Sequence, residues 1–115
     1  MPSHLRLSDE DPPQLSIIIP CLNEAGHLPA LLADLNKQRR LHSEVLLADG
    51  SSTDNSAAIA REHGARVIES NPGRGRQMNI AVQQARGEWL LFLHADSRLS
   101  DIRQLSRALR CLKQA

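Results

Sequence analysis

Residues 92–97 (FLHADS) end an apolar run on a carboxylate, Asp96. A carboxylate at the mouth of a buried strand can meet a divalent cation that carries two phosphates. A hard ion such as Mg2+ or Mn2+ needs oxygen ligands and often takes only one or two of them from protein. By residue type alone, Asp96 serves equally well as an Asx turn with Ser97 or as a cap on the next helix. His94, two positions earlier, is of a type that at strand ends more often packs than binds metal. A second carboxylate, Asp49, opens residues 48–54 (ADGSSTD). With Gly50 behind it, Asp49 can accept hydrogen bonds from a base N–H or a ribose hydroxyl, while Thr53 or Asp54 reads as a helix N-cap. The third group is residues 71–79 (NPGRGRQMN), where two glycines accompany Arg74 and Arg76 at a helix entrance. Backbone N–H groups and guanidinium forks in that setting suit phosphate oxygens, and the same residues read as a Gly-rich loop with solvated arginines. The segment is neither a Walker loop, lacking G-K-[ST], nor a G-x-G-x-x-G after the first strand.

The elements that would position these groups follow from hydrophobic period. Residues 15–20 (LSIIIP) form a continuous β-branched run, the pattern of a strand buried on both faces. Leu28, Leu31, Leu32 and Leu35 then fall on one helical face, with Pro29 tolerable only in the first turn. Residues 44–48 (EVLLA) predict a second strand and residues 57–63 a second helix, closed by Gly64. Residues 66–69 (RVIE) predict a third, weaker strand. Met78, Ala81, Val82 and Ala85 predict the apolar stripe of a third helix ended by Gly87. Residues 89–93 (WLLFL) predict a fourth strand, buried like the first. Ser100 reads as the cap of a last helix, with Ile102, Leu105, Leu109 and Leu112 inward and Arg103, Arg107, Arg110 and Lys113 on a solvated face. Strands alternating with helices imply an α/β fold, a mostly parallel sheet of about four strands flanked by helices. Its ligand belongs at the edge where strand C-termini and helix N-termini converge.

Composition narrows the partners. The 115 residues allow one domain, and residues 1–14, charged and carrying three prolines, read as a mobile leader before a domain at 15–115. Fourteen basic against thirteen acidic residues give +1, and one Trp, one Phe and no Tyr leave little for base stacking, so nucleic acid is excluded as partner. Cys21 and Cys111 form neither a disulfide framework nor a zinc cluster, which fits a reducing cytoplasm. No apolar run approaches the roughly 20 residues of a transmembrane helix. The chain reads as cytoplasmic, with docking at a membrane surface left open, and a sheet ending at its fourth strand would expose an edge suited to self-association.

Taken together, SIIIPCLNE, LLADGSSTDNS, GRGRQMN and EWLLFLHADS occur in an order and spacing that resembles the N-terminal half of family 2 glycosyltransferases of the GT-A fold. The pair GRGRQMN and LFLHAD looks most like a bacterial branch described as radical-SAM/selenodomain-associated transferases. The resemblance covers residues 15 to about 100. It implies a Rossmann-like half domain that binds a nucleotide-diphosphate sugar through Mg2+ or Mn2+ for transfer to an acceptor hydroxyl with inversion. Pro20, Asn23 and Glu24 would line the nucleotide pocket, Asp49 would bind the base, and Arg74, Arg76 and Ala95 would lie near the nucleotide. Asp96 would meet the metal and diphosphate as the last Asp of the family's D-x-D signature. His94 stands where many members carry the first Asp and is a second candidate ligand, and Ala48 stands where many carry the first carboxylate of the D-D-G-S loop. The family's general base and acceptor pocket come from residues well beyond this signature, so the resemblance assigns no catalytic base here and implies an incomplete or inactive form of the domain. The alternative reading is a non-catalytic nucleotide-binding or interaction module. A nucleotidyltransferase is disfavoured, because its Gly-rich, Arg-bearing loop would follow the first strand, where residues 21–26 stand.

Overall fold

A computed structural model describes residues 12–114. Most of the leader expected at residues 1–14 lies outside the described residues; its last part belongs to the fold. Pro13 is buried, the Gln14 N–H donates to the His42 carbonyl at 2.8 Å, and the Gln14 carbonyl accepts from the Trp89 N–H at 3.0 Å.

Among the described residues four strands, β1 (Leu15–Cys21), β2 (Ser43–Asp49), β3 (Arg66–Glu69) and β4 (Trp89–Phe92), alternate with four helices, α1 (Leu28–Asn36), α2 (Ser56–Glu62), α3 (Arg74–Gln84) and α4 (Gln104–Gln114). All strand pairs are parallel, in the order β3-β2-β1-β4. The chain winds outward from β1 to β3, then returns across the sheet through α3 to place β4 on the other side of β1. The order therefore reverses beside β1, the position where such sheets open a crevice at their carboxyl ends.

Strand β1 is central, and Ile17, Ile18 and Ile19 are fully buried, as the unbroken apolar run requires. Ile17 and Ile19 face the larger core with the four leucines of α1 and with Leu105 and Leu109 of α4, whereas Ile18 faces a smaller core with Leu46, Ala48 and Ala81 of α3. Pro29 lies in the first turn of α1, where its missing N–H costs nothing.

Three expectations are corrected. The buried residues of α3 are Gln77 and Ala81, Val82 is exposed, and the helix ends at Gln84 rather than running to Gly87. The buried amide of Gln77 finds partners at the strand ends, which turns that side of the helix inward. Strand β4 is only half covered, because it is the sheet edge and α3 packs over the other strands; Leu90 and Phe92 are 43% and 47% exposed. In α4 only Leu105 and Leu109 of the expected apolar face are buried, while Ile102 and Leu112 are exposed. Its entrance is held from a distance: Gln38, itself buried, accepts from the Leu105 N–H at 3.1 Å and donates to the Asp101 carbonyl at 2.8 Å. No helix among the described residues is long and apolar enough to cross a membrane.

Candidate functional site

The reversal beside β1 opens a cleft of about 470 Å³. One wall is the end of β1 and its loop, with Pro20, Cys21, Leu22 and Glu24. The entrance of α3 supplies Gly73, Arg74 and Gln77, and the segment after β4 supplies His94, Ala95 and Asp96. Six of the nine residues singled out by sequence thus meet here: Pro20, Glu24, Arg74, His94, Ala95 and Asp96.

The other three lie elsewhere. Asn23, at φ 56°, accepts through Oδ1 from the Thr53 N–H at 2.8 Å and the Asp54 N–H at 3.2 Å, and its own N–H donates to Ser52 Oγ at 2.9 Å. Asp49 is 3% exposed, and its Oδ1 accepts from the hydroxyl of Ser52. Arg76 donates to the Pro72 carbonyl at 3.3 Å. Neither Asn23, Asp49 nor Arg76 lines the cleft.

The loops after β1 and β2 are in fact laced together. Besides the Asn23 bonds, the Glu24 N–H donates to Ser56 Oγ at 3.1 Å and the Ala25 N–H to Asp54 Oδ2 at 3.1 Å. Asp54 also accepts from the Ser56 N–H at 3.0 Å, an Asx turn one residue ahead of the N-cap of α2, which is Asn55 rather than the expected Thr53 or Asp54. Its carboxyl is held below the ordinary range, first by the Ser56 hydroxyl. Ser51, at φ 67°, is held in the left-handed region by donating to the Ser70 carbonyl at 2.8 Å. Burial pushes the Cys21 thiol up, against smaller opposing hydrogen bonds from Ser56 and Ser52.

Across the cleft, Arg74 NH2 lies 2.8 Å from His94 Nδ1 and 3.2 Å from Nε2. A guanidinium only donates, so the ring meets it with a nitrogen lone pair. Glu24 faces His27 at 3.0 Å. Asp96, by contrast, is exposed and makes no side-chain hydrogen bond or ion pair among the described residues. Among these residues no group of three or more His, Cys, Asp or Glu is placed to hold a metal ion.

The segment bearing Asp96 is tied to α1 by Asp34, which accepts from Arg98 Nε at 2.8 Å and from the Leu99 N–H at 2.9 Å. The Arg98 guanidinium, then the Leu99 N–H, hold the Asp34 carboxyl below the usual carboxylate range. A depressed folded value means that its stabilisation is complete above the unfolded pKa and is lost as pH falls through the folded one. Arg98 is 67% exposed, which screens the pair. Asp34→Asn is expected to cost about 1 kcal/mol at neutral pH. Urea unfolding of both proteins checks this: the gap should close as pH falls below the ordinary aspartate range, once the carboxyl is protonated in the folded state, and a gap that persists in acid would exclude the ionised carboxylate as its source.

Sequence reading missed Gln77, Leu22 and Cys21. The available signal for Gln77 was its spacing of four from Ala81, which puts both on one helical face.

The model of Glycosyl transferase family 2 matches residues 16–114. The PGL/p-HBAD biosynthesis glycosyltransferase of Mycobacterium bovis (strain BCG / Pasteur 1173P2) is 41% identical over 102 residues, covering 83% of this chain and 40% of that protein. The crystal structure of S. aureus TarS 1-349 in complex with UDP superposes with a TM-score of 0.78 at 28% identity, covering 88% of this chain and 32% of that one. The mannosyltransferase PcManGT from Pyrobaculum calidifontis, in complex with GDP-Man and Mn2+, gives a TM-score of 0.77 over 97% of this chain and 36% of that one. At 22% identity it shows likeness of fold alone. The chain spans less than half the length of each of these relatives.

Proposed function

Because the chain belongs to glycosyl transferase family 2, we propose that its cleft binds the nucleoside diphosphate of a sugar donor and presents the sugar for transfer to an acceptor hydroxyl. One observation carries this reading: Asp96, which has no side-chain partner among the described residues, and Arg74 line one cleft at the carboxyl ends of β1 and β4, beside the entrance of α3. A cationic side chain and free helix N–H groups beside an available carboxylate suit a diphosphate that shares a cation with protein. The UDP and UDP-GlcNAc bound by S. aureus TarS support the same class of ligand.

Among the described residues lining the cleft, the carboxylate of Asp96 is the one without a partner, which fits Mg2+ or Mn2+ held mostly by ligand oxygens with Asp96 as the protein ligand. Such an ion would neutralise charge on the departing diphosphate. His94 faces Arg74, an arrangement that leaves it to orient the guanidinium rather than to bind metal. Leu22, half exposed, offers an apolar wall to the nucleoside, with Pro20, Glu24 and Ala95 around it. Asp49, Asn23 and Arg76 support the donor from outside the cleft: Asp49 and Asn23 fix the two laced loops and Arg76 the entrance of α3.

In the transfer, the acceptor oxygen bonds to the anomeric carbon as the bond to the diphosphate oxygen breaks, with inversion. The electron pair leaves with the diphosphate, and the acceptor's proton passes to a general base. Asp101 is the only acidic residue after Asp96 in this chain, and its carboxylate is taken by the Arg103 N–H and Arg107. These residues account for donor binding and stabilisation of the leaving group, not for proton removal. Self-association belongs at the open β4 edge with its exposed Leu90 and Phe92, and the two free cysteines fit a cytoplasmic setting.

Calorimetric titration with UDP, GDP and ADP, with and without Mn2+, tests the reading. At least one diphosphate should bind, and more tightly with Mn2+; three silent titrations would dispose of it. Binding without transfer or hydrolysis of a nucleotide sugar would mark a nucleotide-binding module instead.

A further inference from the structure

Gln77 is 5% exposed, yet every polar atom of its amide is used. Its Nε2 donates to the Cys21 carbonyl at 3.0 Å and to the Ala48 carbonyl at 2.8 Å, at the ends of the two central strands. Its Oε1 accepts from the Gly73 N–H at 3.1 Å, immediately before Arg74. The amide can sit only one way round: reversed, an oxygen would face two carbonyls and an NH2 group would face an N–H. Gly73, at φ 143°, takes a backbone shape that other residues rarely adopt, so the turn into α3 is set by this bond and this glycine together.

Gly50 completes the arrangement. A Cβ built there would lie 2.6 Å from Gln77 Cδ, well inside van der Waals contact. The amide cannot swing away cheaply, because three hydrogen bonds hold it in a buried place. Gly50 follows Asp49 and Gln77 lies in the Arg-bearing segment, so two stretches of sequence that look like separate ligand loops are fitted to each other.

We propose that Gln77 is a positioning residue for the diphosphate site: its amide clamps the entrance of α3 to the ends of β1 and β2, so that Arg74 is presented to the cleft, and Gly50 leaves the space the clamp occupies. The presentation of Arg74 rests on the nucleotide-binding reading above; the clamp does not. Replacing the amide by a carboxylate, Gln77→Glu, sets oxygen against two carbonyls, and Gln77→Met keeps the volume without the bonds.

The experiment combines nucleotide titration with thermal melts, at a temperature where all variants are folded. Gln77→Met, and Gln77→Glu if it folds, should bind the diphosphate preferred by the wild type roughly tenfold more weakly or worse. Glu44→Gln, at the opposite end of the sheet, should lower the melting temperature and leave affinity unchanged. Gly50→Ala should lower the melting temperature sharply in the wild type and much less in Gln77→Ala, where the colliding amide is gone. Wild-type affinity in Gln77→Met, or an equal loss in Glu44→Gln, overturns the positioning role. Equal costs of Gly50→Ala in both backgrounds overturn the clamp. A wild type that binds no nucleotide removes the positioning role together with the nucleotide reading, while the melts still decide whether the clamp exists.

Discussion

Asp96→Ala should erase the Mn2+-dependent part of nucleotide affinity while leaving the melting temperature unchanged. The second half follows from structure: the carboxylate makes no bond among the described residues, so its removal orphans nothing. The first half follows from the proposed site, in which Asp96 is the protein's ligand to a cation shared with the diphosphate. Losing a charged contact of this kind is worth about 1.5 to 3 kcal/mol, or roughly ten- to hundredfold in affinity. Arg74→Ala should act differently, weakening binding with and without metal, because a guanidinium on phosphate needs no ion between. Titrating both variants with and without Mn2+ separates the two roles. If Asp96→Ala keeps its full response to Mn2+, the cation lies elsewhere and the assignment of that carboxylate is lost.

Glu44→Ala should cost about 3 kcal/mol of stability, or roughly 10 to 20 °C in melting temperature for a domain of this size, with nucleotide binding preserved in the folded fraction. Glu44 is buried, and its carboxylate is shared three ways: Ser16 Oγ donates at 2.6 Å, the Arg86 N–H at 2.6 Å and Arg66 NH1 at 3.1 Å. Ser16 passes the network on, accepting from the Gly87 N–H at 2.8 Å. These bonds join β1, β2 and β3 to the segment that leads into β4, at the end of the sheet away from the cleft. Truncation leaves a hydroxyl, an N–H and a partly buried guanidinium without their acceptor, which costs more than the bonds themselves contributed. Urea unfolding measures the loss, and a change below about 1 kcal/mol would mean that water replaces the carboxylate at little cost.

Much of this molecule is determined by local pattern. The short, β-branched LSIIIP run has the pattern of a strand covered on both faces, and the leucines at 28, 31, 32 and 35 fall on one face of a helix. Alternation of such elements dictates a parallel sheet, and a parallel sheet dictates where polar loops gather. That is why Asp96, Arg74 and Glu24 could be brought to one rim from sequence. Hydrophobic period reports which face of an element is apolar, because it is a property of the chain taken one segment at a time.

Tertiary structure alone decided what covers each face and which distant group answers each polar atom. Val82, Ile102 and Leu112 belong to apolar stripes and are exposed, since the described neighbours leave much of these side chains uncovered, and Phe92 is exposed because β4 lies at the edge of the sheet. Gln77 looks like a surface residue and is buried, since two strand carbonyls and one loop N–H converge on its amide. Asp49 and Asn23 carry the chemistry of ligand contacts, and in the folded chain Ser52 bonds to one oxygen of Asp49 while Thr53 and Asp54 bond to the amide oxygen of Asn23. A buried polar group must be satisfied, and whether protein or ligand satisfies it depends on distances that exist only once the chain has folded.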